Sequence, residues 1–298
     1  MMKKQLLILL LGMVVIGAGA TGAWLYLTSA RQDEHPAVSL PAVTRRIAYE
    51  LEVTNTGGSP IQEERLMVRA PASTGRGQTC TAIQAGLPYE LSRDEAGYQV
   101  LLFDLSIPPY GVKIIPFEAE VSWRPTPEPE GGATATDYTH AEKYIELNHP
   151  ALQAQAASLR RETTAATVTA TFSWVSTQID KTSYSHTPRG AAYAMRKKRG
   201  DCTEFMHLFI SLCRINGIPA RAVSGYVAPR DMRLTANDFH EWAEVYYDGR
   251  WHLADPYYGV LDTDEASYLS FFVQPGNADT IPFYRWHSDA PVLRVRML

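Results

Sequence analysis

Three residues of this 298-residue chain have the types and settings for covalent chemistry: Cys202, His240 and Asp255. Cys202 stands in RGDCTEFMHLFISLCRINGIPAR, residues 199–221, at the head of an apolar run. Asp201 is a good N-cap and Glu204 completes a capping-box pattern. Phe205, Leu208, Phe209 and Leu212 then repeat at helical spacing until Gly217-Ile218-Pro219 stops the helix. Cys202 becomes the first helical residue, where unpaired backbone N–H groups and the positive end of the helix dipole converge. That position predicts a lowered thiol pKa and a reactive thiolate, with the same N–H groups available to a tetrahedral oxyanion. Cys213, further along the same helix, has none of this and reads as an inert packing residue.

A nucleophilic thiol needs a base, and HEWAEVYYDGRWHLADP, residues 240–256, supplies one. It reads as a hairpin turning at Asp248-Gly249. With a two-residue loop Tyr246 faces Trp251 and Trp242 faces Asp255, so His240 and Asp255 become diagonal neighbours on one face. A three-residue loop would put them on opposite faces. In the first register His240 acts as base toward Cys202 while Asp255 orients the imidazole.

Other residues have plainer readings. His207 points along a different helix face from Cys202 and is expected to pack. Glu204 is a cap, and Arg221 and Glu244 form a structural ion pair or are solvated. RKKR, residues 196–199, is an exposed helix end. Tyr184 and Trp174 are candidates for a second oxyanion donor. A bridge between Cys80 and Cys213 would leave Cys202 free, but the apolar setting of Cys213 argues against it. Asp262, Asp264 and Glu265 form a short acidic loop of the kind that is solvated surface, so neither a metal nor a cofactor is expected.

These residues must be positioned by elements that the rest of the chain supplies. Its composition, 45 % hydrophobic and 20 % charged, suits two ordinary domains with cores, and a net charge of -4 gives no basic footprint for nucleic acid. Lys3 and Lys4 precede an uncharged run, Gln5 to Leu27, long enough to cross a bilayer. Its flanking charges predict a cytoplasmic N-terminus and an extracytoplasmic remainder, periplasmic or at the cell surface. Ala18-Gly19-Ala20 also fits a cleavage site, but the run continues through Trp24 and Leu27, which favours a retained anchor.

From Thr44 the chain alternates in short apolar runs: IAYELEVTN, ERLMVRAP, TCTAI, YQVLLFDL and VKIIPFEAEVSW. Ile47, Tyr49, Leu51 and Val53 share one face, as in an antiparallel sandwich. RPTPEPEGGATAT, residues 124–136, reads as an extended linker. Beyond it AEKYIELN, ALQAQAASLRR and ETTAATVTATFSWVSTQID are helix candidates, the last placing Val168, Phe172, Val175 and Ile179 on one stripe. The expected domains are an anchor at 1–30, a β-sandwich-like domain at 31–123, the linker at 124–136 and a catalytic domain at 137–298.

GDCTEF, LCRINGIPARAVSGY and HEWAEVYYDGRWHLADP resemble the three signature blocks of the transglutaminase-like superfamily, over about residues 140 to 260. The resemblance implies an α+β fold with a papain-like core, helices packed on an antiparallel sheet, preceded here by the sandwich-like domain and the transmembrane helix. It also implies a Cys-His-Asp triad at Cys202, His240 and Asp255, with a protein or peptide as substrate. Zinc-binding CxxC pairs, expected of a peptide N-glycanase in this superfamily, are missing. Two function classes follow: acyl transfer or hydrolysis on amide bonds through a Cys202 thioester, or a catalytically silent binding or scaffold module at the cell envelope.

Overall fold

A computed structural model of the chain describes residues 42–73, 77–94, 97–124, 135–274 and 285–298. The expected membrane anchor at 5–27 and most of the linker lie outside the described residues. Among those described, no helix is long and apolar enough to cross a membrane.

The first part of the structure is two facing sheets. Val43–Asn55 pairs with Val112–Trp123, which in turn pairs with Gln78–Ala85. In the second sheet Ile61–Arg69 pairs with Gln99–Ile107, which pairs with Glu90–Arg93. Strict alternation sends Ile47, Tyr49, Leu51 and Val53 inward, where they meet Leu66, Val68, Leu101 and Phe103 from the opposite sheet in one core. The five expected strands are all present.

Two stretches depart from the expected layout. AEKYIELN is not helical: Glu142 and Ile145 form an isolated bridge, and the carboxylates are drawn to distant partners. Glu142 meets Arg214 Nη1 at 2.6 Å, and Glu146 accepts from the Ala191 backbone N–H at 2.9 Å. These tertiary bonds outweigh a weak intrinsic preference for helix. The other departure is the C-terminus, which does not stay with the second domain. Trp286–His287 pairs with Ile61–Arg69, and Leu293–Met297 pairs with Val43–Asn55. Met232–Arg233 joins the same edge in parallel. Tyr226, Leu269 and Phe271 extend the sandwich core, so a continuous apolar seam joins the two parts.

The second part stacks four helices on a five-stranded antiparallel sheet ordered Val260–Leu261, Arg250–Asp255, Phe239–Tyr247, Ala220–Val227, Tyr268–Val273. The helices are α1 (Pro150–Leu159), α2 (Thr164–Gln178), α3 (Ala191–Lys197) and α4 (Cys202–Ile215). On α2, Val168 and Val175 are buried as the stripe requires, as is Ile179 just past its end, and Phe172 packs edge-on against Phe209 of α4. Every residue of α4 from Cys202 to Arg214 is buried, including a polar stripe of Glu204, His207, Ser211 and Arg214 on one face. It is the central post against which the sheet and the other helices pack.

Gly225 shows how closely the sheet is built around its aromatic residues. It pairs with His240, and a methyl group at this position would overlap the Leu269 carbonyl and come within 2.9 Å of the Trp242 ring. Gly225→Ala is therefore expected to lower stability by about 1–3 kcal/mol, the usual range for overpacking, as read from denaturant unfolding. A shift below 0.5 kcal/mol, the scale of a neutral surface change, would mean that the sheet yields easily here.

Candidate active site

The N-terminus of α4 is pinned from several directions. Asp201 Oδ1 accepts the Thr203 backbone N–H at 3.0 Å, and the Glu204 side chain accepts the Asp201 N–H at 3.2 Å, completing the capping box. Both carboxylates also hold the preceding loop. Asp201 Oδ2 accepts from Ser185 N at 2.7 Å, while Glu204 accepts from Arg189 N at 2.9 Å and pairs with its guanidinium. Cys202 is thus the first residue of the helix, with 9 % of its surface exposed.

The hairpin adopts the two-residue register. Tyr246 pairs with Trp251 and Tyr247 with Arg250, and the turn residues Asp248 and Gly249 have φ of 50° and 80°, both in the left-handed region that such a turn requires. His240 and Asp255 consequently meet, with Nε2 and Oδ2 2.7 Å apart. The Asp255 carboxylate is fully enclosed by donors. Oδ1 accepts the backbone N–H groups of Tyr257 and Tyr258 at 3.0 and 3.1 Å, and Oδ2 also accepts the Tyr268 hydroxyl at 2.8 Å. A carboxylate surrounded by donors is an acceptor on both oxygens, so the proton of the neutral imidazole resides on Nε2 and the Nδ1 lone pair is left for another partner.

Cys202 approaches the same strand one residue beyond His240. Thr203 donates its hydroxyl to the Glu241 carboxylate, whose other oxygen accepts from Ser224 Oγ at 3.0 Å. Burial raises the phenols of Tyr257 and Tyr258; Cys202 is the next influence on Tyr257 and acts on Tyr258 behind Tyr257 and Asp255. The same rings lie 5.8 and 4.3 Å from the His240 ring. Half-buried Tyr257 and exposed Tyr258 therefore lie near both the thiol and the imidazole.

The ionisation of the thiol differs from the expectation. Burial pushes Cys202 up to about 12, and the charges of Glu241 and Asp201 add to the rise. Polar contacts at the Glu241 backbone and the Thr203 side chain act the other way. Desolvation outweighs the helix N-terminus, so the resting group is a neutral thiol. An unperturbed cysteine titrates near about 8.5. The pH midpoint for iodoacetamide alkylation of Cys202 should lie above that of free cysteine, and Glu241→Gln should bring it down by removing a negative neighbour. A wild-type midpoint below free cysteine would restore the preformed thiolate that the helix position alone suggests.

The remaining candidates separate clearly. Tyr184 lies close enough to Cys202 for the two charges to interact, whereas Trp174 sits under the Lys198 ammonium at 4.3 Å. His207 is buried and stacked on Tyr144, and burial lowers its pKa to about 3, keeping the ring neutral. Arg221 and Glu244 form a buried pair at 2.6 Å. Asp262 is occupied by His252 and by Arg250 at 3.2 Å. All three cysteines are free. Sequence reasoning missed Glu241, Ser224, Tyr257, Tyr258 and Tyr268. The adjacent Tyr257-Tyr258 pair after Pro256 was a visible signal, whereas Tyr268 reaches Asp255 only through sheet pairing.

Residues 152–256 match the family model of the transglutaminase-like superfamily core. An uncharacterized Mycobacterium leprae protein is 32% identical over 93 residues, covering 30% of this chain and 32% of that protein. The mouse kyphoscoliosis peptidase (Mus musculus) is 29% identical over 84 residues, 26% of this chain and 13% of its own length. The chain thus matches under a third of each of these relatives. A crystal structure of a candidate cysteine protease from Cytophaga hutchinsonii superposes with a TM-score of 0.56 at 18% identity, over 87% of this chain and 92% of that one. At that identity the likeness is one of fold.

Proposed function

We propose, for a chain whose residues 152–256 carry a core domain of the transglutaminase-like superfamily, that Cys202, His240 and Asp255 act together in acyl transfer or hydrolysis at amide bonds of a protein or peptide. The observation that carries this reading is the 2.7 Å bond from His240 Nε2 to Asp255, which leaves Nδ1 free to accept a proton, on a strand whose next residue, Glu241, accepts the hydroxyl of Thr203 at the start of α4. Because the resting thiol is neutral, attack is coupled to deprotonation. Cys202 Sγ bonds to the amide carbonyl carbon as its proton passes to His240 Nδ1, and Asp255 stabilises the imidazolium. The carbonyl oxygen takes up the negative charge facing the N-terminal N–H groups of α4. On collapse the C–N bond breaks, His240 protonates the departing amine, and a thioester remains on Cys202. Water or a primary amine then attacks the thioester, giving its proton to His240, and Cys202 leaves and is reprotonated. Water gives hydrolysis; an amine gives transamidation.

Incubation of the protein with a peptide library, with and without a primary amine, followed by mass spectrometry, tests the reading. The expected products are cleaved or deamidated peptides, replaced by amine adducts when the amine is present, together with a covalent adduct on Cys202. A Cys202 that no electrophile labels, with no product in either condition, would leave the binding or scaffold module. The proposal includes the retained anchor at 5–27 and an extracytoplasmic catalytic domain, supported by the apolar run and its flanking lysines. Protease added to intact spheroplasts should digest the region after residue 31 and spare a short N-terminal fragment. Full protection would overturn that topology.

A further inference from the structure

Lys181 is fixed close to the nucleophile by the backbone. Asp180–Lys181 pairs in parallel with Arg199–Gly200, directly ahead of the cap Asp201. The ribbon is closed by the Asp180 N–H to the Lys198 carbonyl at 2.8 Å and the Thr182 N–H to the Gly200 carbonyl at 2.9 Å. Alternation turns Asp180 and Lys181 to opposite faces, with Asp180 across from Arg199 and Lys181 across from Gly200. The Lys181 ammonium then meets the aromatic pair beside the site. Its Nζ is 4.7 Å from the centre of the Tyr257 ring and 6.0 Å from that of Tyr258.

The same two rings stand beside the base. Tyr257 packs edge-on against Phe205 of α4 and lies 5.8 Å from the His240 ring, while Tyr258 lies 4.3 Å from it and is itself 55 % exposed. On either path one aromatic ring separates the Lys181 ammonium from the His240 imidazole. Lys181 is exposed, and an ammonium seated on a ring face keeps N–H donors for a second partner. The thiol side of the site carries the opposite sign, because Glu241 and Asp201 are the charges that raise Cys202. A polypeptide that brings a carboxylate to this site is repelled next to the thiol and attracted next to Lys181.

We propose that Lys181, seated on the Tyr257–Tyr258 pair, is a specificity-determining residue that binds a carboxylate of the substrate polypeptide and so selects amides with an acidic group nearby. The inference rests on Cys202 being the nucleophile and His240 its base. An acidic side chain and the free C-terminus of the substrate present the same anion to the ammonium. An extended polypeptide advances about 3.3–3.6 Å per residue, and a single ring stands between ammonium and imidazole, so the anion belongs roughly two to four positions from the reacting amide. A basic residue at that position meets like charge and is disfavoured.

The test uses peptides that carry a chloroacetyl group on a central diaminopropionate side chain, with an Asp moved residue by residue along both flanks and matched Asn and Lys series, all amidated at the C-terminus. A second arm places a free C-terminal carboxylate, against its amide, at each distance from the electrophile. Labelling of Cys202 is read by peptide mapping, and rates are compared as ratios within each protein. At low salt the wild type should prefer the best-placed carboxylate over its uncharged counterpart by about two- to fivefold, the scale of an exposed ion pair. The preference should shrink toward one in about 1 M salt. Lys181→Gln should bring the ratio to near one, and Lys181→Glu should turn the preference toward the Lys series, a charge-swap rescue that a structural role would not produce. A preference in one arm alone identifies which carboxylate is bound. A ratio near one at every position of both arms in the wild type, a ratio that survives Lys181→Gln, or no gain for the Lys series in Lys181→Glu would overturn the inference. Iodoacetamide, which carries no charge for Lys181 to read, separates the two levels. If it fails to label Cys202 the nucleophile reading falls, whereas labelling without any charge preference among the peptides removes the subsite alone.

Discussion

Cys202→Ala is expected to abolish turnover and covalent labelling, while Cys213→Ala is expected to retain both and lose only stability. The contrast follows from what surrounds each sulfur. Cys202 opens α4 next to its cap Asp201 and against Glu241, the strand neighbour of His240. Cys213 is fully buried in the helical core, where desolvation drives its thiol still higher than that of Cys202. Loss of a nucleophile acting with its base lowers kcat by as much as about 10⁶-fold, so the residual activity of Cys202→Ala should be undetectable. Removing the Cys213 sulfur should cost about 1–2 kcal/mol, the scale of a small core cavity, and should be seen as a lower Tm with unchanged kcat. Cys80, half-buried in the sandwich, is replaced by Ser in both variants, so that labelling reports on Cys202 and Cys213 alone. Equal loss of labelling in Cys202→Ala and Cys213→Ala, with native circular dichroism in both, would contradict the assignment.

Local chemistry made part of this site legible. The helix at Cys202 announces itself through Asp201, Glu204 and an apolar run ended by Gly-Ile-Pro, all within twenty residues. The meeting of His240 with Asp255 is likewise local, because a two-residue turn at Asp248-Gly249 sets the register of the whole ribbon. Other features depend on chain segments that come together only in the folded protein. Tyr268 reaches Asp255 from a strand on the other side of the sheet, and the link from Thr203 through Glu241 to Ser224 joins a helix to two strands. LRVRM alternates visibly as a strand at 293–297, but nothing within it names Val43–Asn55 as its partner. AEKYIELN has the composition of a helix and loses it to Arg214 and to the start of α3. The thiol pKa is the sharpest case. The helix N-terminus is written in the local sequence and lowers it, while the burial that wins is the sum of neighbours from the whole core.

Asp255→Asn is the second change with a large expected effect, and its signature separates orientation of the base from reactivity of the sulfur. The carboxylate accepts from four donors: two backbone N–H groups, the Tyr268 hydroxyl and His240 Nε2. An amide of the same shape has one accepting oxygen and brings two N–H donors into a pocket already full of them, so at least one bond is lost. If its NH₂ faces His240, the ring must present a lone pair at Nε2 and carry its proton on Nδ1, the nitrogen required to receive the thiol proton. That tautomer disables the base without moving it. Turnover should fall by about 10⁴-fold, the known scale of such a tautomer error in a related triad. Alkylation by iodoacetamide above the thiol's raised midpoint should change much less, because hydroxide can then deprotonate Cys202 without the imidazole. His240→Ala should match Asp255→Asn in turnover, and Tyr268→Phe, which removes one donor and leaves an acceptor to spare, should cost about tenfold or less. Retention of wild-type turnover in Asp255→Asn, with the protein folded, would show that Asp255 is only a strand-end cap and that His240 keeps its tautomer by other means.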